Sequence, residues 1–222
     1  MNDGNFTEKA FQLLQDLEEN NNKEWYTAHK REFESHLRHP FAHLLEQVTD
    51  HLSERDIALS GSAKTMFRQN RDIRFSKDKS PYSTHVSGVL TPSGAKDEKQ
   101  GLLYLHLDAT GGMSACGLYK PPTSTLNLIR DEIIEEPEAF SDVINRLERW
   151  ELSLSRDEKL KSMPRGYSEH SDHEHAEYLK LKSFITQIAL PRRAWLADDL
   201  VEQVVSFAEH SQPLLEFCGI VQ

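Results

Sequence analysis

Two cysteines in 222 residues, Cys116 and Cys218, allow at most one disulfide and supply neither a CxxC pair nor a Cys/His zinc arrangement. That usage fits a reducing compartment, so a cytoplasmic protein is expected, with both thiols acting as small core residues. Long apolar runs are missing too. No window approaches the roughly 18 apolar residues of a membrane-spanning helix. Met1-Asn-Asp-Gly-Asn-Phe6 lacks the basic and apolar stretches of a secretory leader. The ten glycines are scattered and form no GxxxxGK[ST], GxGxxG or GxSxG, which removes the common phosphate-cradling loops and the hydrolase nucleophile elbow. Positive charge is short overall: 26 Lys and Arg face 36 Asp and Glu, a net charge of −10. This argues against general nucleic-acid binding and against an anionic membrane surface. No cofactor and no resident metal are expected.

Against that acidic background, residues 68–79 hold five cations, Arg68, Arg71, Arg74, Lys77 and Lys79, and only two anions, Asp72 and Asp78. The segment runs on through Ser80-Pro81, a turn signal, to Tyr82 and His85. Arginine presents a planar fork of donors that matches phosphate or carboxylate oxygens, and lysine adds a point charge. One reading is a pocket for a small phosphorylated or carboxylated ligand, with Tyr82 contributing a hydroxyl. The other is an internal ion-pair network, in which the protein serves as an interaction module and the charged motif is scaffold.

The rest of the chain reads as helices, then strands, then helices with one more strand. Phe6, Ala10, Leu13, Leu14 and Leu17 predict a helix over 6–19; Asn20-Asn21-Asn22 breaks it and offers a cap to a second helix over 23–37. Pro40 fits the first turn of a third, which carries Phe41, Leu44, Leu45, Val48 and Leu52. Val86–Leu90 reads as a strand and Thr91–Gln100 as a polar loop. Leu103, Leu105 and Leu107 alternate with Tyr104, His106 and Asp108, a half-buried strand. Gly111-Gly112 is the expected hairpin turn, which would set His106 opposite Gly117 and Tyr104 opposite Tyr119. Thr123 or Ser124 is expected to cap a helix carrying Leu126, Ile129 and Ile133, with Arg130 beside that stripe; Pro137 starts the next. Residues 151–163 read as a short strand and a short helix. A helix is expected near 173–181, a strand over 184–190, and helices near 197–209 and 212–218. The order predicts an α+β fold, a mostly antiparallel sheet with helices packed against it and helical terminal segments. One domain is expected over 1–222: a helical layer about 6–54, the sheet and motif about 64–122, and a helical region with one strand about 123–220. Apolar stripes on the terminal helices could support a homodimer.

His106 is the second candidate, a histidine on a strand that could act as an acid or base, with Tyr104 and Tyr119 as pocket walls. The run His170-Ser-Asp-His-Glu-His175 has metal-binding residue types but none of the usual zinc spacings, and Ser171 or Asp172 as a helix cap explains it with less. The expected ligand-binding set is therefore Arg68, Arg71, Arg74, Lys77, Lys79, Tyr82, His106 and Tyr119.

The run Phe67-Arg-x-x-Arg-Asp-x-Arg-Phe-Ser-Lys-Asp-Lys-Ser-Pro-Tyr82 resembles the signature of domain-of-unknown-function family 2461, found in bacteria and fungi. The likeness extends through Asn20-Asn-Asn-Lys-Glu-Trp25 with His29-Lys30, Gly117-Leu-Tyr with Pro121 and Arg130, Pro164-Arg-Gly-Tyr167 and Leu181-Lys-Ser-Phe184. It covers roughly residues 6–220. Ser83 stands where the family commonly has lysine, and Gln69-Asn70 replaces a more apolar pair. The resemblance implies the same choice of residues and carries no reaction with it.

Overall fold

A computed structural model describes residues 6–96 and 101–219. The reading of the first residues as no leader, and the far end of the 91–100 loop, fall outside the described residues.

The amphipathic stripe of the first segment forms α1 (Glu8–Glu19), which buries Ala10, Phe11, Leu13, Leu14 and Leu17. Asn22 then caps α2 (Lys23–Phe33), its side chain accepting from the Trp25 amide at 2.9 Å. The second and third predicted helices are one rod. A wide π-helical turn, Glu34–Arg38, joins α2 to α3 (His39–Ser53). That widened turn lies where Pro40 lacks an N–H and its ring crowds the preceding carbonyls. Phe41 on α3 stacks on Trp195 with centroids 6.2 Å apart and meets Phe6 edge-on at 6.4 Å. Each such side chain, once buried, contributes about 1.5–3 kcal/mol of transfer free energy.

The sheet is antiparallel throughout, in the order β1 (Val86–Leu90), β2 (Leu102–Asp108), β3 (Gly111–Leu118), β4 (Phe184–Pro191). Around it lie α4 (Thr123–Glu135), α5 (Pro137–Glu148), the short α6 (Ala176–Leu179) and α7 (Arg192–Trp195), then α8 (Leu200–His210) and α9 (Gln212–Phe217). The fold is α+β. Leu103, Leu105 and Leu107 are fully buried under the helices, joined by Cys116 and Leu190 from the neighbouring strands. Their alternates, Tyr104 and His106, face the other way and are only partly covered.

Several local expectations are corrected. The hairpin turn is Ala109-Thr110, not Gly111-Gly112, because Asp108 closes it: its Oδ1 accepts from the Thr110 amide at 2.7 Å, the Thr110 hydroxyl at 2.7 Å and the Gly111 amide at 3.1 Å. The glycines serve the strand instead. Gly112 has φ +158°, and a Cβ there would sit 1.8 Å from the His106 carbonyl oxygen. His106 therefore faces Met113 rather than Gly117, and Tyr104 faces Ala115 rather than Tyr119. The slip is an even number of residues, so each side chain keeps its predicted face. Helix α4 starts after Pro122 with no side-chain cap from Thr123 or Ser124. Neither Ser171 nor Asp172 caps α6, which is shorter than expected. Residues 151–163 form no regular element; 155–160 instead lie along the chain entering β4, with Ser155 N to Ile185 O at 2.8 Å and Leu160 N to Lys180 O at 2.8 Å.

Candidate functional site: the open face of the sheet

The charged motif is an irregular hairpin laid along the free edge of β1. Met66 bridges Gly88, Asn70 bridges Tyr82, and the Phe67 amide donates to Ser87 O at 2.9 Å. Where the backbone ladder lapses, the buried Gln69 amide replaces it, donating to the Ser83 and His85 carbonyls. A polar residue in place of a more apolar one thus has a structural task here. Asn21 ties the hairpin to the α1–α2 corner: its amide donates to Tyr82 O at 2.9 Å and its carbonyl accepts from Tyr82 N at 3.0 Å. Tyr82 is buried and stacks on Tyr26 at 4.1 Å.

Two of the motif's three arginines meet the motif's own aspartates. Arg71 donates to Asp78 and to Ser80 O, and Arg74 forms a bidentate pair with Asp72. Asp78 also accepts from the Ser80 hydroxyl and amide; these bonds and Arg71 hold its carboxyl down to about 2. Lys79 donates to Ile73 O at 2.9 Å. Among the described residues, Arg68 and Lys77 form no ion pair. Phe75, at the tip, is 95% exposed.

The sheet's uncovered face holds a cavity of about 510 Å³. Phe67, Tyr104, His106 and Tyr119 line it, with Met113 and Ala115 from β3; the five motif cations are not among its walls. Sequence reasoning brought Tyr104, His106 and Tyr119 together, and the structure does the same by a different register: Tyr119 approaches from beyond the end of β3 and is 60% exposed. It does not join two neighbours to this group, although Asp108 reads on the same face and His85 as a titratable group of the charged motif. Asp108 follows His106 at the two-residue interval that keeps a side chain on the same face, and that interval was the available signal. His85, in the segment leading into β1, stacks on His106 with centroids 4.2 Å apart.

These residues form a connected row. His106 Nε2 lies 3.3 Å from Asp108 Oδ2, and His106 Nδ1 lies 3.1 Å from the Tyr104 hydroxyl. The carboxylate can only accept, so Nε2 carries the proton, Nδ1 accepts, and Tyr104 donates to it. Burial pushes His106 below the ordinary histidine value, with Asp108 pulling the other way. Burial pushes Asp108 up, but the Thr110 and His106 hydrogen bonds outweigh it and leave the carboxyl below its usual range. Burial raises the Tyr104 phenol. His85 is pushed down to about 4 by burial and then by His106, with Arg71 adding to the effect and Asp108 opposing it. At neutral pH the row therefore holds a carboxylate, two neutral imidazoles and a protonated phenol.

A family model described as conserved hypothetical protein (DUF2461) matches residues 9–217. The chain belongs to this family. No curated protein and no solved structure matches it. In this DUF2461 chain the end of the run His170–His175 packs against α5: His175 Nε2 contacts the Ser141 hydroxyl at 2.9 Å and Pro137 O at 3.1 Å, and His173 Nδ1 accepts from the His175 amide. Among the described residues no three His, Cys, Asp or Glu side chains gather as metal ligands, and no helix is long and apolar enough to cross a membrane.

Proposed function

We propose that the open face of the sheet binds a small organic molecule and that Tyr104 serves it as a proton acceptor, its oxygen taking a proton from the ligand as its own passes to His106 Nδ1, with Asp108 orienting the imidazole and facing the imidazolium that forms. The observation that carries this reading is the unbroken hydrogen-bonded row, Tyr104 to His106 at 3.1 Å and His106 to Asp108 at 3.3 Å, at the wall of a concave, largely apolar site. A phenol raised by burial keeps its proton at neutral pH, and a neutral histidine behind it can accept one. The charged hairpin frames this face. Phe67 forms part of the cavity wall, while Arg68 and Lys77, without an ion pair among the described residues, lie outside that wall. An NMR screen of small molecules against histidine-labelled protein tests the reading. Ligands should shift the His106 ring signals and bind at least tenfold more weakly to Tyr104→Phe; ligands that bind without moving His106 count against it.

A second reading, an interaction module, is favoured by Phe75. An aromatic ring 95% exposed at a hairpin tip held by the Arg71–Asp78 and Arg74–Asp72 pairs has the form of a docking point for a second copy of the chain. Sedimentation at rising concentration tests it: association should disappear in Phe75→Asp, and a wild type that stays monomeric removes it.

A further inference from the structure

A second and larger cavity, of about 870 Å³, opens on the other side of residues 155–160. Its charge is opposite to that of the chain. Lys120, Arg130, Lys159, Arg165 and Lys182 line it against only Asp157 and Glu158, within a protein of net charge −10. Lys120 is paired with Glu158 at 2.9 Å and Lys159 with Glu177 at 2.9 Å. Arg130, Arg165 and Lys182 have no ion pair among the described residues.

Arg130 decides what the cavity is for. It is 3% exposed, on the buried stripe of α4, and its guanidinium lies 5.7 Å from the centre of the Tyr167 ring. Its hydrogen bonds all go to neutral acceptors: Nε to Leu179 O at 2.8 Å, Nη2 to Leu181 O at 3.1 Å and Nη1 to Asn127 Oδ1 at 3.0 Å. A guanidinium has five N–H donors, so one on Nη1 and one on Nη2 remain uncommitted. Buried charges are costly unless a counter-charge accompanies them. The three neutral bonds fix the fork's orientation, and Asp131, which accepts from the Tyr167 hydroxyl at 2.7 Å, offsets part of its charge through space without touching it.

We propose that this cavity is an anion site, in which Arg130, with Arg165 and Lys182, receives the phosphate or carboxylate group of a small organic acid whose body rests on Leu126, Leu160 and Pro164. The parallel Nη donors match two oxygens of such a group, and the outer cations add attraction without specificity. The proposal stands on its own observations and does not depend on proton transfer at the open face.

The probe is inorganic pyrophosphate, with phosphate and citrate as alternatives, measured by calorimetry at constant ionic strength. Because Arg130→Met removes bonds that hold Leu179 and Leu181, it is accompanied by the double variant Arg165→Ala/Lys182→Ala, whose side chains lie at the surface. Wild type should bind at least one of the three probes beyond an equal ionic strength of chloride. Affinity should fall at least tenfold in the double variant and stay unchanged in Lys30→Ala/Arg31→Ala, two exposed cations of α2 outside both cavities. Equal binding by wild type and double variant overturns the proposal, as does an equal loss of binding in the α2 variant. Failure of all three probes to bind overturns it too.

Discussion

Protonating His85 should destabilise the fold, and the effect can be sized from its surroundings. The ring is half-buried, stacks on His106 at 4.2 Å and lies within the field of Arg71, so a positive charge there is unwelcome; the Asp108 carboxylate partly offsets this. Its value drops from an ordinary 6.5 to about 4. In the window between those values the unfolded chain binds more protons than the native one, so stability must fall as pH falls. The contribution is complete above about pH 6.5 and is lost progressively down to about pH 4. At about 1.4 kcal/mol per pKa unit the full gap is about 3 kcal/mol. Water still reaches part of the ring, which reduces the figure to about 1–2 kcal/mol. Urea unfolding of wild type and His85→Gln across this window measures it as a difference between two curves, so that titrating carboxylates cancel. Wild type should lose about 1–2 kcal/mol more than the variant on acidification. Parallel curves, or a wild type that gains on the variant, would refute the account of the stacked imidazoles.

Three further outcomes test the frame around that row. Asp108→Asn keeps the acceptor that closes the Ala109-Thr110 turn but removes the charge beside His106, so the fold should persist while the His106 titration, followed by NMR, moves to lower pH. Gly112→Ala should cost about 2–4 kcal/mol in thermal or denaturant unfolding, since its Cβ would meet the His106 carbonyl; an unchanged midpoint would mean that the strand can shift. Asn21→Ala should cost about 1–3 kcal/mol by leaving the Tyr82 amide and carbonyl unpaired, and Asn21→Asp, which retains only the acceptor, should fall between the two.

What could be read in advance follows the reach of each signal. Alternation over Leu103–Asp108 placed Tyr104 and His106 on one face, because period two is a local property of a strand. The register was not local. It was decided by whether Asp108 or the glycine pair closed the turn, and side-chain capping by an aspartate competes with glycine on nearly equal terms in a sequence. Asn22 was legible as a cap, whereas Asn21, one residue earlier, bonds to a residue 61 positions away. The charge excess over 68–79 pointed to an organised segment, but Arg74 and Arg71 found carboxylates two and seven residues distant rather than a cavity. Arg130 was visible only as a cation beside an apolar stripe. Its burial comes from carbonyls 49 and 51 residues further on, at a bend that no periodicity describes.

The two cavities share a wall, and the wall explains why charges of opposite character lie so close. Asp157 and Glu158 line both. At the end of β3 the backbone turns through Lys120, which has φ +46°, and consecutive side chains part: Tyr119 lines the open face and Lys120 the basic cavity, its ammonium 4.9 Å from the Tyr119 ring centre. Lys182 and Ser183 divide in the same way, and the Ser183 hydroxyl accepts from the Lys120 amide at 3.0 Å. Alternation thus hands neighbouring residues of two chain segments to opposite sides. Glu158, bound to Lys120 at 2.9 Å, keeps one of the five cavity cations neutralised at that boundary. The unpaired charge is left to Arg130, Arg165 and Lys182. The positive field is thereby concentrated in the basic cavity, while the carboxylate in contact with His106 on the open face is Asp108.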